Sequence, residues 1–324
     1  GLCNMAKSDK FTPIDATQTP RFADVATFMR TVRHPISDEI DIGLCGVPFD
    51  LGLNYRSGPR DAPAAVRDAS RLIRMAHPVS GIKPYDLCNV ADVGDAPVNP
   101  MNKDESIDRI EAFFAEMKAA GIRPIAIGGD HTVPLPVLRA LAKDEPVGLL
   151  QFDAHADILD ELCGTKVNHA TIMRRGVEEG LIDPSRVVQL GLRGSRFGDD
   201  DIRFGQDAGF RCITIDEYEE LGRAETIRII DETLGDGPSY VTLDIDGIDP
   251  SYCPGTPVPE IGGLLPRDVQ VILRSLQGKN VVGADICEVA PCYDPTGVTC
   301  VTAANMMFEM LCIIAHSMAA QRSG

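Results

Sequence analysis

Basic residues are in short supply. Against 48 Asp and Glu the chain has 31 Lys and Arg, a formal charge of -17. Such a surface repels phosphate backbones and anionic lipid over a Debye length, so no nucleic-acid or membrane partner is expected. Also missing is any CxxC pair among the ten cysteines, and no apolar leader stands ahead of them. Reduced thiols in a cytoplasmic protein are therefore expected. No stretch reaches the roughly 18 apolar residues of a membrane helix. Gly1 and Cys3 match part of an acylation motif, but Ala6 stands where that motif needs Ser or Thr. There is no Ser/Gly-rich linker, no internal repeat and no P-loop, so neither a string of small domains nor a nucleotide-phosphate cradle is expected.

What is present is the usage of a large folded domain: 324 residues, 44% hydrophobic and 24% charged. Apolar β-rich runs at 40–46, 124–128, 147–153, 187–192, 211–215, 239–246 and 281–286 read as strands. Helical windows follow at 62–75, 104–120, 134–142, 169–180, 222–234, 266–277 and 303–319. The runs are apolar throughout, as strands covered on both faces are. Strand–helix alternation predicts an α/β fold, a single three-layer αβα domain around a central parallel sheet. A catalytic domain is expected over 36–324, with 1–35 an extension packing on the core or on a neighbouring subunit.

Ligands of such sheets bind beyond the carboxyl ends of the strands. Three predicted strands run into acidic and imidazole groups there: IAIGGDHT (125–132), LLQFDAHAD (149–157) and VTLDIDGIDP (241–250). Asp153, His155 and Asp157 alternate, as do Asp244 and Asp246, so an extended backbone would point each set to one face. Taken singly, Asp246 or Asp249 reads as a turn aspartate. Taken together with His131, the motifs assemble four carboxylates and two imidazoles that would repel one another without cations. That is too many ligands for one tetrahedral zinc and suits two divalent ions, whose 4+ charge four carboxylates balance. Oxygen-rich ligation favours two Mn²⁺, with Ni, Co or Zn able to compete. Asp130 is expected to orient His131 or an adjacent loop.

GGDHT, FDAHAD and DIDGIDP, in this order, resemble the ureohydrolase family of arginases, agmatinases and guanidino-acid hydrolases. PRFADVATFMR (20–30), GVPFDLGLNYRSGPRDAP (46–63), DVGDAPVNP (92–100), QLGLRGS (189–195), PGTPVPEIGGL (254–264) and DICEVAPCYD (285–294) are similar to segments of its agmatinase and guanidinobutyrase branches. The resemblance implies the arginase-like fold and hydrolysis of a small guanidino substrate to urea and an amine. It also implies one metal on His131, Asp153, Asp157 and Asp244 and another on His155, Asp153, Asp244 and Asp246, with Asp153 and Asp244 bridging. His169 would transfer protons, Glu288 would pair with the substrate guanidinium, and Asp157 would be catalytic as well as a metal ligand. A homo-oligomer, trimer or hexamer, is implied as well. His34, His77 and His316 sit in no motif and read as packed or solvated.

The match weakens where the family reads its substrate, at ILDELCGTKVN (158–168) and HATIM (169–173). The asparagine and serine that arginases use for an amino-acid head group are missing, which disfavours L-arginine. Asp160 and Glu161 are candidates for the amine of agmatine, Arg56 for the carboxylate of a guanidino acid, and Asn168 for a further polar contact. The PRFADVATFMR opening tips the reading toward 3-guanidinopropionate or 4-guanidinobutyrate. Agmatine, a smaller guanidine compound, a non-catalytic metal-binding homologue and a two-metal phosphatase or nuclease are the alternatives.

Overall fold

The computed structural model describes residues 8–324, and the partial acylation motif at Gly1, Cys3 and Ala6 lies outside the described residues. Burial alternates along the strands and divides the core in two. In β4 (Arg123–Ile127), Ile125 and Ile127 face one apolar cluster and Ala126 the other. In β5 (Val147–Phe152), Leu150 and Phe152 oppose Leu149. The other strands are β1 (Val32–Arg33), β2 (Ile42–Gly46), β3 (Val90–Asp95), β6 (Ile182–Leu192), β7 (Arg211–Thr214), β8 (Ser239–Asp244) and β9 (Val281–Cys287). They form one sheet of order β1-β3-β2-β4-β9-β8-β5-β6-β7 with every pairing parallel.

Parallel neighbours need crossovers, and the helices that supply them cover both faces. One face is packed by α1 (Ala62–Ala69), α2 (Pro84–Leu87), α7 (Ile215–Leu234), α8 (Pro266–Arg274) and α9 (Val298–Ser323). The other is packed by α3 (Lys103–Ala119), α4 (Pro134–Leu141), α5 (Ile172–Glu178) and α6 (Asp200–Ala208). The expected single three-layer αβα domain is what forms.

Several elements differ from expectation for physical reasons. The apolar run of β3 is broken by Asp92, whose buried charge is met by Arg67 Nε and Nη2 (2.9 and 3.1 Å) and the Phe28 amide (2.9 Å). The helix expected from 222 begins at Ile215, where Thr214 accepts the Glu217 amide, and bends at Gly222, whose φ is +77°. Acid-rich α6 and four-residue α2 offer too little apolar periodicity to read. Helix α9 is by length and composition apolar enough to cross a membrane, with mean hydropathy 1.8, although Glu309 and His316 interrupt its apolar run. It is a core helix, 78% buried over that window. Glu309 is met inside by Arg274 (2.7 Å) and by His77 Nε2 (2.8 Å).

The described part of the 1–35 stretch packs on the core, since Phe28 is fully buried and β1 extends the sheet beside β3. The nine described cysteines are unpaired.

Candidate functional site

Strands β4, β9, β8 and β5 are consecutive in the sheet and parallel, so their carboxyl ends open on one edge. GGDHT, DICE, DIDG and FDAHAD leave from those four ends. The side chains converge through turns rather than through the pleat expected from their alternation. Strand β5 stops at Phe152, and Asp157 has φ +54°. Strand β8 stops at Asp244, which accepts the Asp246 amide (3.0 Å) as a single 3-10 turn begins. Glu288, just past β9, has φ +65°. Left-handed backbone at non-glycine residues is costly and gathers at functional positions.

One ligand atom from each of His131, Asp153, Asp157 and Asp244 falls within 4.8 Å of the others, and Asp153, His155 and Asp246 form a second such group. Asp153 belongs to both. His131 Nδ1 lies 2.5 Å from Asp157 Oδ2, 3.1 Å from Asp153 Oδ2 and 3.5 Å from Asp244 Oδ2. His155 Nδ1 lies 3.2 Å from Asp246 Oδ2 and 3.5 Å from Asp153 Oδ1.

The far nitrogens are anchored separately. His131 Nε2 donates to Thr242 Oγ1 (2.8 Å), which donates to Asp285 Oδ1 (2.7 Å). Tyr240 donates to the other oxygen of Asp285 (2.6 Å). His155 Nε2 donates to Glu260 Oε1 (3.0 Å). Both Nδ1 atoms are thereby directed at the carboxylates, the nitrogen left for a metal once the far one is anchored. Gln151 Nε2 donates to Asp153 Oδ2 (2.9 Å), and Gln189 Nε2 donates to Gln151 Oε1 (2.8 Å), fixing the amide behind the shared carboxylate.

This crowding governs protonation. Burial and the nearby Asp153 charge push Asp157 up to about 7. Burial, with Asp153 adding to it, pushes Asp246 up to about 6, against the pull of His155. Asp244 is raised well above the usual range by burial and by Asp153 and Asp246. Burial opposes charge on Asp153, but hydrogen bonds with His131 and His155 hold it well below that range. Burial likewise opposes charge on both imidazoles. Asp153 and Asp157 outweigh it at His131, and Asp246 and Asp153 at His155, so both are raised. Protons here do the work of cations. A buried His/Asp cluster able to bind metal ions is what the geometry provides.

Beside the cluster lies a cavity of about 730 Å³. Glu288 lines it, 2% exposed; its Oε1 accepts the His131 amide (2.6 Å) and its Oε2 has no hydrogen-bond partner among the described residues. His169 also lines it. Its Nδ1 is 3.7 Å from Glu288 Oε1, and its Nε2 donates to Asn54 Oδ1 (2.9 Å). Burial opposes charge on His169, but the Glu288 carboxylate raises it. Asp130 holds loops rather than His131, accepting the Gly52 and Thr132 amides (both 2.8 Å). Asp249 accepts the Gly262 and Gly263 amides (2.9 and 2.8 Å), a turn role.

The four tail-binding candidates from the sequence are not brought to the cavity wall. Arg56 donates to Thr256 O (2.6 Å) and Pro257 O (2.9 Å) and lies 3.8 Å over the Tyr293 ring. Asp160 pairs with Arg175 (2.5 Å). Asn168 is buried, donating to Thr165 O (3.0 Å) and accepting the Ala170 amide (3.0 Å) to fix its own loop. Glu161 is exposed outside the cavity. Sequence reasoning passed over Glu260, Gln151 and Gln189. Two glutamines inside the apolar runs VGLLQFD and VVQLGL were a readable signal, because a buried amide needs partners.

Residues 40–312 match the model of the arginase family. The chain is 46% identical over 308 residues to guanidinopropionase of Pseudomonas aeruginosa, covering 95% of this chain and 97% of that one. It is 42% identical to guanidinobutyrase of the same organism, over 93% of this chain and 96% of the other. The solved proclavaminate amidino hydrolase of Streptomyces clavuligerus superposes with a TM-score of 0.89 at 36% identity, covering 92% of this chain and all of that one. With this fold, this coverage and this cluster, the chain belongs to the arginase family and is a hydrolase of carbon–nitrogen bonds in linear amidines.

Proposed function

We propose that the chain binds two Mn²⁺ and hydrolyses the guanidino group of a small guanidino acid, 3-guanidinopropionate or 4-guanidinobutyrate, to urea and an amine. The carrying observation is Glu288 Oε2, a buried carboxylate oxygen without a hydrogen-bond partner among the described residues, on a cavity wall shared with the His/Asp cluster. A planar guanidinium is the complement of such a carboxylate. His131, Asp153, Asp157 and Asp244 would hold one ion, and His155, Asp153, Asp246 and Asp244 the other. When bound, the pair supplies polarisation that lowers the pKa of water toward neutrality.

The chain's own residues do the rest. Glu288 Oε2 accepts N–H bonds from the guanidinium while the His131 amide fixes Oε1, which sets the plane of the substrate. His169, held by Asn54 at Nε2, has Nδ1 toward the same carboxylate and passes a proton to the departing amine nitrogen. Asp157, Asp244 and Asp246 have raised proton affinity when the ions are away. In this reading the protein is a cytoplasmic homo-oligomer, a trimer or hexamer. Exposed Asp216 on the cavity wall favours agmatine as the second substrate reading. Urea release from Mn-loaded protein across guanidino acids, agmatine and simple guanidines tests the proposal. No release from any of them at full metal occupancy contradicts it, and Asp153→Ala should lose metals and activity together.

A further inference from the structure

Glu288, His169 and Asp216 account for part of the cavity lining, and several of its other residues have no role assigned so far. The lining includes the apolar side chains of Leu159, Leu162 and Val258. Two arginines line the cavity. Arg193 is consumed by backbone carbonyls, donating to Gly191 O (2.9 Å), Gly247 O (3.1 Å), Asp246 O (2.6 Å) and Glu260 O (3.0 Å). Arg196 is different. Its guanidinium makes no hydrogen bond among the described residues, and its nearest carboxylate is Asp199 at 3.9 Å, itself 81% exposed and solvent-screened.

The loop carrying Arg196 is built rather than loose. Asp201 Oδ2 accepts the Phe197 amide (2.6 Å) and Asp201 Oδ1 the Gly198 amide (3.1 Å), which fixes the turn after Arg196. These bonds also occupy Asp201, the acid beside Arg196 on the cavity wall, so it has less to offer a cationic tail. Phe197, on the same turn and on the cavity wall, is 80% exposed, an aromatic surface left for a ligand's hydrocarbon segment. The cavity of about 730 Å³ that Glu288 lines thus also presents apolar side chains and a cation with free donors to one small ligand.

We propose that Arg196 receives the carboxylate of an ω-guanidino acid and sets the preference for acids over agmatine. This rests on the guanidino-hydrolase reading and deepens it. The arrangement is a fork-to-carboxylate contact at each end of one small molecule, Glu288 for the guanidinium and Arg196 for the acid.

The test compares Mn-loaded wild type, R196Q and R196K on 3-guanidinopropionate, 4-guanidinobutyrate, agmatine and uncharged n-butylguanidine. In R196Q the KM for the acids should rise about 10- to 100-fold, as for loss of a charged hydrogen bond, with kcat barely changed. R196K should recover part of the loss, and n-butylguanidine should be indifferent to all three. An equal loss on every compound, or unchanged KM for the acids, overturns the proposal. Calorimetry with 4-aminobutyrate against butylamine adds a readout independent of turnover, since only the acid should bind more weakly to R196Q. If wild type released no urea from any compound, the hydrolase reading would fall, and the calorimetric arm would still decide Arg196.

Discussion

Replacing Glu288 by glutamine separates stability from function at this site. The side chain is buried, Oε1 is occupied by the His131 amide, and Oε2 has no hydrogen-bond partner among the described residues. In the metal-free protein its charge sits beside Asp130 and Asp244, and it contributes to raising both their pKa values. Glutamine keeps an oxygen for the His131 amide, keeps the volume and removes the charge. Metal-free Glu288→Gln should therefore melt no lower than wild type in chelator. Substrate binding reverses the balance. A guanidinium entering the cavity no longer meets the Glu288 carboxylate, and breaking one side of a buried ion pair costs about 3–5 kcal/mol. That corresponds to a fall in kcat/KM of roughly 10² to several times 10³. Urea release measured beside thermal unfolding provides both numbers. A variant within tenfold of wild-type kcat/KM would refute the assignment of Oε2 to the guanidinium.

Proton and metal compete for one set of groups, which fixes a pH dependence. Asp157 and Asp246, raised to about 7 and about 6, bind protons in the folded chain at a pH where the unfolded chain has lost them. Their contribution to metal-free stability therefore falls as pH rises from about 4 to 7, and the raised His131 and His155 extend that loss upward. Unfolding in chelator should show Tm declining from pH 5 to 8, with the increment from Mn²⁺ growing over the same range; a flat increment would contradict it. Gln151→Leu, which removes the amide behind Asp153, should weaken metal binding about 10- to 100-fold in a calorimetric titration, and unchanged affinity would make the glutamine pair merely structural. His169→Ala should keep its metals and lose about 10²-fold or more in turnover, and unaltered turnover would remove it from proton transfer.

The parallel α/β sheet was readable because its strands are uninterrupted apolar runs, and the metal-binding motifs because polar groups at the ends of such runs need partners. What escaped was whatever depends on distant pairing. Strand β3 carries a buried Asp92 that only makes sense once Arg67 and the Phe28 amide are placed around it. Alternation in DAHAD suggested an extended segment, whereas the chain turns at Asp157. Arg56 looked free for a carboxylate because no sequence pattern reveals that Thr256 O and Pro257 O, some 200 residues on, would take its donors. Arg196 gave no signal, since its availability follows from Asp201 tying down the next turn.

Anomalous diffraction at the manganese edge from crystals grown with excess Mn²⁺ addresses the central claim most directly. Two peaks per chain are predicted, about 3.5–4 Å apart as in two-metal hydrolases, one against His131, Asp153, Asp157 and Asp244 and one against His155, Asp153 and Asp246. A single peak, or none, at saturating metal would contradict the account.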